Sequence, residues 1–236
     1  MLLNCDLGEG LSDVDRRIMP FIDQANIACG GNAGDSKSMQ ETLELALQHD
    51  VAIGAHPSYP DKANFGRKSL CISLPELETS LRTQLDGLYE LLQKRDLSIE
   101  HIKAHGALYN DSNKNEELLT LLIELAKDYN CSLMLQSLPI NDKAEIIANK
   151  FSVPLIFEAF ADRAYDKSGL LVARNIEGAV HQDIDHIVQQ ALCFAHHKAV
   201  PVVNGQALKL HADSLCIHGD SPLALQAISA IYDALR

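Results

Sequence analysis

The 236-residue chain has no apolar run of bilayer length, so no transmembrane helix is expected. It is short of positive charge: 20 Lys and Arg against 32 Asp and Glu leave a net charge of -12. The basic residues are also scattered. A phosphate backbone is repelled by such a surface, so nucleic acid is not an expected partner. The N-terminus lacks a basic start and places Asp6 where a signal peptide would still be apolar. No export signal is read there, and a cytoplasmic location is expected. The six cysteines contain no C-x-x-C pair and read as free thiols, mostly buried. Cys5, Cys29 and Cys216 lie beside polar strand ends, where packing explains them better than nucleophilic chemistry. The Gly-Lys-Ser/Thr of a P-loop is missing, and so is the G-x-S-x-G elbow of a serine hydrolase. With no repeat, low-complexity tract or linker, residues 1–236 are expected to form one domain with a full core.

Six short apolar runs each end in a knot of acids, histidines or amides. They end at Asn4-Cys5-Asp6-Leu7-Gly8-Glu9, Cys29-Gly30-Gly31-Asn32-Ala33-Gly34-Asp35, His56-Pro57, His105-Gly106, Glu158-Ala159-Phe160-Ala161-Asp162-Arg163 and His218-Gly219-Asp220. Parallel α/β enzymes carry their active sites at the carboxyl ends of buried strands, so six such ends point to one shared pocket. Apolar periodicity predicts helices over about 36–49, 75–94, 114–129 and 183–198, and a last one starting at Ser221-Pro222. Strands are expected at 1–5, 25–29, 51–55, 100–104, 132–136, 154–159, 200–204 and 214–217. Their alternation with helices gives a parallel sheet with helices outside. Polar ends on both the first and the last strand favour closure, so the expected fold is an irregular (β/α) barrel of about seven or eight strands. Residues 57–73 and 162–179 lack periodicity and read as loops over the pocket.

Asp6 and Glu9 follow the first strand, and two carboxylates there suit a metal or acid–base work. His56 and His105 end strands and are either metal ligands, proton carriers or histidines satisfied by backbone. His101 shares an H-x-x-x-H string with His105. On a strand the two rings stand roughly 13 Å apart, too far for one ion, so His101 is set aside as a ligand. Lys103 shares a strand face with His105 and is either a low-pKa base or a counter-ion for the acids. Asp35 is equally readable as a helix cap or as a catalytic acid. Arg67 and Arg163, on the two loops, match an anionic substrate bidentately. His218 is expected to orient a pocket group, and Asp220 to assist the cap of the last helix.

These strings, together with Gly54-Ala55-His56-Pro57-Ser58-Tyr59-Pro60-Asp61, Phe65-Gly66-Arg67 and His105-Gly106-Ala107-Leu108-Tyr109-Asn110, resemble the LamB/YcsF family over nearly the whole chain. The resemblance implies a barrel related to those of polysaccharide deacetylases and glycoside hydrolases. It also implies ATP-dependent opening of 5-oxo-L-proline to L-glutamate, in company with the B and C subunits of a 5-oxoprolinase. ATP would then be a co-substrate handled by a partner. Asp6, Glu9 and Asp35 would activate water, with Lys103 and His105 steadying charge and moving protons. Asn32, Arg67, Asp162, Arg163 and His218 would hold the small anionic substrate, and Asp6, His56 and His105 would form a divalent-metal set. The alternatives are a metal-dependent amide deacylase and a non-catalytic binding protein within the complex. The family carries histidine where this chain has Asn32, which cannot shuttle protons, and proline where it has Ala104.

Overall fold

The computed structural model describes residues 1–203, 205, 207–219, 221 and 223–236. The expectations for Asp220 and Pro222, and the end of the expected strand 200–204 at Asn204, lie outside the described residues. The strands are β1 (Leu2–Leu7), β2 (Gln24–Ala28), β3 (Ala52–His56), β4 (His101–Lys103), β5 (Ser132–Gln136), β6 (Leu155–Phe160), β7 (Val200–Pro201), β8 (Ala207–Leu208) and β9 (Ser214–Cys216). The helices are α1 (Ser12–Ile18), α2 (Ser36–Gln48), α3 (Leu74–Gln93), α4 (Gly106–Ser112), α5 (Glu116–Asp128), α6 (Asp142–Phe151), α7 (Ile184–Ala195) and α8 (Ala224–Leu235).

Seven strands close a parallel barrel in the order β1-β2-β3-β4-β5-β6-β9, with β9 seated between β6 and β1. The expected strand at 200–204 is not part of it. Val200 and Pro201 pair antiparallel with Leu208 and Ala207 in a small separate ribbon. Pro201 has no N–H to donate, which bars it from a central position in a ladder.

Register explains the strand composition. In every barrel strand but β4, even-numbered residues face inward, in pairs such as Asp6 with Asn26, Asn26 with Gly54, Gln136 with Glu158, and Glu158 with Ser214. At β4 the parity changes, and Gly54 pairs with His101. Successive side chains on a strand alternate faces. This set therefore points into the barrel, where Asn4 reaches Glu158 across it. The opposite set, including Leu3, Ile27, Ile53, Ile102, Leu133 and Leu215, is buried against the helices. The barrel is thus filled largely by polar side chains, and its apolar core is the shell between sheet and helices.

Helix starts follow capping chemistry. Ser73 and Glu76 form a capping box on α3, Asn115 caps α5 and Asp183 caps α7. No described helix is long and apolar enough to cross a membrane. The loop 57–73 contains one 3₁₀ turn (Lys62–Asn64). Its tip is clamped to the start of α4 by the Ala107 N–H donating to the Gly66 carbonyl at 2.9 Å. A side chain on Gly106 would lie 2.6 Å from that carbonyl oxygen.

Candidate active site at the barrel mouth

A cavity of about 540 Å³ opens at the carboxyl end of the strands, with Asp6, Glu9, His56, Lys103 and His105 on its wall. The polar strand ends do converge. Asp6 Oδ1 accepts from Lys103 Nζ and from Asn26 Nδ2, each at 2.9 Å. Its other oxygen, Oδ2, lies 3.4 Å from His56 Nε2. Burial disfavours the Asp6 carboxylate, but His56 and Lys103 outweigh it and hold the group well below the usual carboxylate range.

Lys103 is 2 % exposed and sits among acceptors: Asp6, Glu158 Oε2 at 3.0 Å and Asn4 Oδ1 at 3.2 Å. Burial opposes its charge; Asp6 and Glu158 overcome that and push its pKa well above the ordinary lysine value. Of the two readings of Lys103, the counter-ion is the one the structure supports, since an ammonium so held does not act as a base. Glu158, fully buried, also accepts from the Tyr109 hydroxyl at 2.7 Å.

The two histidines are oriented by backbone. His56 Nδ1 is 2.8 Å from the Lys103 carbonyl, and His105 Nε2 is 2.9 Å from the Phe65 carbonyl. A carbonyl oxygen only accepts, so both of these nitrogens carry hydrogen. That leaves His56 Nε2 and His105 Nδ1 facing each other at 3.0 Å. Two lone pairs repel at this distance, so a proton or a cation belongs between them. Burial opposes protonation of His56, and the Asp6 carboxylate overcomes it, raising the His56 pKa above the ordinary value. Glu9 Oε1 is 3.1 Å from His105 Nδ1 and completes the cluster.

Among the described residues, two groups of side chains bring metal-type donors together: Asp6 with His56 and His105, and Asp6 with Cys216 and His218. The second is blocked, because the Lys103 ammonium lies 3.2 Å from Cys216 Sγ and 2.9 Å from Asp6. The first fits a divalent ion. Its imidazoles donate their far N–H groups to carbonyls, the usual support of metal-bound histidine.

Elsewhere on the cavity wall lies His218, whose Nδ1 is 2.9 Å from Asp162 Oδ2. Burial raises the Asp162 pKa less than His218 and Arg163 lower it, so it stays below the ordinary value. Arg67 and Arg174 also line the cavity.

Three expected site residues are placed elsewhere. Asp35 is exposed and caps α2, accepting from the Lys37 and Ser38 N–H groups at 3.0 and 2.9 Å. The cap accounts for its hydrogen bonds, and Asp35 is not on the cavity wall. Asn32 is not on the cavity wall; it lies behind Glu9 and donates to Glu9 Oε1 at 2.8 Å. Asp162 is likewise behind the wall and reaches the cavity through His218. Arg163 does line the cavity, but it also donates to the Ala179 and Val172 carbonyls and so pins the 162–179 loop. Burial raises the thiol pKa of Cys5 and Cys216, and that of Cys29 to about 12, which fits packing rather than nucleophilic roles. Sequence reasoning passed over Asn4, Asn26, Tyr109 and Glu158 as site residues. Their signal was available: three of the four are polar on the inward register of a strand.

A model of the LamB/YcsF family matches residues 1–236. The A subunit of 5-oxoprolinase from Pseudomonas fluorescens Pf-5 is 43% identical, the match covering 100% of this chain and 97% of that protein. The 5-oxoprolinase A subunit numbered 3 in Pseudomonas aeruginosa is 42% identical, covering 100% and 96%. The crystal structure of the lactam utilization protein from Thermus thermophilus superposes with a TM-score of 0.88 at 31% identity, covering 100% of this chain and 95% of that one.

Proposed function

We propose that this chain, which belongs to the LamB/YcsF family, is the A subunit of a cytoplasmic ATP-dependent 5-oxoprolinase, opening the lactam of 5-oxo-L-proline to L-glutamate. The observation that carries the reading is the acid–histidine cluster of Asp6, Glu9, His56 and His105 at the end of a polar-filled barrel, in a chain so similar to proteins named for this activity. A five-membered lactam is a stable amide, and phosphorylation of its carbonyl oxygen helps its hydrolysis. The sequence carries no P-loop, so ATP chemistry is assigned to the B and C subunits and ring opening to this pocket.

Water attacks the ring carbonyl carbon and passes a proton to the Glu9–His105 pair, whose imidazole is aimed by the Phe65 carbonyl. Asp6, held ionised by Lys103, keeps His56 oriented beside that proton. The lactam nitrogen leaves carbon and takes a proton from His218, which Asp162 orients; the γ-glutamyl phosphate so formed is cleaved by a second water to glutamate and inorganic phosphate. Arg67, with Arg163 and Arg174 on the same wall, faces the substrate carboxylate. If a divalent ion is bound, Asp6, His56 and His105 hold it, and it supplies polarisation of an oxygen and an acidified water. That donor set also supports the second reading, a metal-dependent amide deacylase.

The test is glutamate release from 5-oxo-L-proline and ATP by the reconstituted complex. Asp6→Ala and His105→Ala are expected to lower turnover by at least about 10²-fold. Full turnover by both variants would end the assignment.

A further inference from the structure

His101 is fully buried inside the barrel, one inward position below Lys103, and has no place on the cavity wall. Its contacts can be read without ambiguity. Asn26 Nδ2 is 2.9 Å from both Asp6 Oδ1 and Asn4 Oδ1. Asn4 Oδ1 also accepts from the Lys103 ammonium, so it is an oxygen. Only an NH₂ group can face two such acceptors, which fixes the Asn26 amide. The amide oxygen then points to His101 Nε2 at 2.7 Å, so that nitrogen carries the hydrogen.

The ring has been given room at a cost. A side chain on Gly54 would place its Cβ 2.1 Å from His101 Nε2, so the imidazole occupies the space of the neighbouring strand's side chain. His101 Nδ1 is buried with no hydrogen-bond partner among the described residues. Leucine or phenylalanine would carry no such orphan. What the imidazole offers in return is the Nε2–H.

We propose that His101 is a positioning residue: by pinning the Asn26 amide, it fixes which oxygen of Asp6 faces the His56–His105 pair. With the His101 donor in place, both Asn26 hydrogens are spent on Asn4 and Asp6. Asp6 Oδ1 is then held by Asn26 and Lys103 together, and Oδ2 is left aimed at His56. Without that donor the buried Asn26 amide oxygen is left unpaired, and the orientation that serves Asp6 loses the bond that offsets this cost. Burial and the nearby Lys103 charge lower the His101 pKa to about 3, so the donor is neutral and permanent under working conditions.

The kinetic arm rests on the assignment of this pocket to lactam opening; the spectroscopic arm does not. In the reconstituted complex, His101→Leu is expected to lower kcat by about 10- to 100-fold with little change in KM, as for other groups that orient a reacting residue. His101→Gln, whose amide N–H can reach Asn26, is expected to recover most of that loss. In long-range ¹H–¹⁵N spectra of the wild-type chain, His101 should show hydrogen on Nε2 and none on Nδ1. That pattern should hold between about pH 8 and about pH 5, where an ordinary imidazole of pKa about 6.5 protonates. Unchanged kcat in a His101→Leu protein that melts like wild type overturns the proposal, as does a hydrogen found on Nδ1. If wild-type complex releases no glutamate, the functional reading falls and the spectra still decide the role of His101. If His101→Leu does not fold, the glutamine variant and the spectra decide it.

Discussion

Individual side chains here take their chemistry from burial more than from residue type. Asp15 in α1 accepts a hydrogen bond from the Gly8 N–H at 2.9 Å, yet burial and, to a lesser degree, the neighbouring Glu9 raise its pKa to about 6. A carboxyl that prefers its proton in the native state works against folding once both states are ionised. Its contribution falls as pH rises from about 4 to about 6 and stays lost above that. Asp15→Asn keeps an acceptor for the Gly8 N–H and removes the charge. The variant should therefore unfold at higher urea than wild type at pH 8, by about 1–3 kcal/mol, with the gap closing below about pH 5. An equal gap at both pH values would show that the charge is not the cause. Asp6 is the contrasting case: also withdrawn from water, it is held ionised because Lys103 and His56 are beside it.

Elements divide into those announced by their own residues and those decided by context. Helices α2, α3, α5 and α7 carry long apolar stripes that are readable in the sequence. The short α1 and α4, and α6, whose buried residues are few, are not. Asp35 shows how a strand-to-helix turn can mislead: an acid after a polar strand end reads as catalytic until its partners are seen to be the N–H groups of α2. Asp35→Ala should cost about 1 kcal/mol of stability and lower the melting temperature by a few degrees, leaving turnover of the complex unchanged. Loss of turnover without loss of stability would return Asp35 to the site. The strand expected at 200–204 misleads for a similar reason. Its apolar content suits a strand, but Pro201 confines it to an edge, and the chain folds it into a ribbon beside the barrel.

At the scale of the whole molecule, closure of the barrel turns a row of polar side chains into one interior network running from Gln24 through Ser214, Asn4 and Glu158 to Tyr109 at the cavity. Above it, the space between His56 Nε2 and His105 Nδ1 takes either a proton or a divalent ion. An ion bound only by the native state stabilises it by mass action, about 2.7 kcal/mol at a hundredfold excess over Kd. Added zinc or manganese is thus expected to raise the melting temperature of wild type and not of His105→Gln, with the rise shrinking as pH falls and protons compete. A melting temperature indifferent to either ion would leave the shared proton as the occupant. Much of this is legible in the chain itself. Alternation of apolar runs with helices specifies a parallel α/β fold, because period-2 and period-3.6 burial is a property of local sequence. The polar strand ends specify a common pocket, because parallel strands all point their carboxyl ends one way. The sequence determined which strand ends arrive at the mouth. Only the tertiary structure decided what surrounds each there: which acceptors hold the Lys103 ammonium, whether Asn32 and Asp162 touch the cavity or stand behind it, and which nitrogen of each histidine is free. Those answers depend on distances of a few ångströms between strands far apart in sequence, and on how completely the closed barrel removes water from around them.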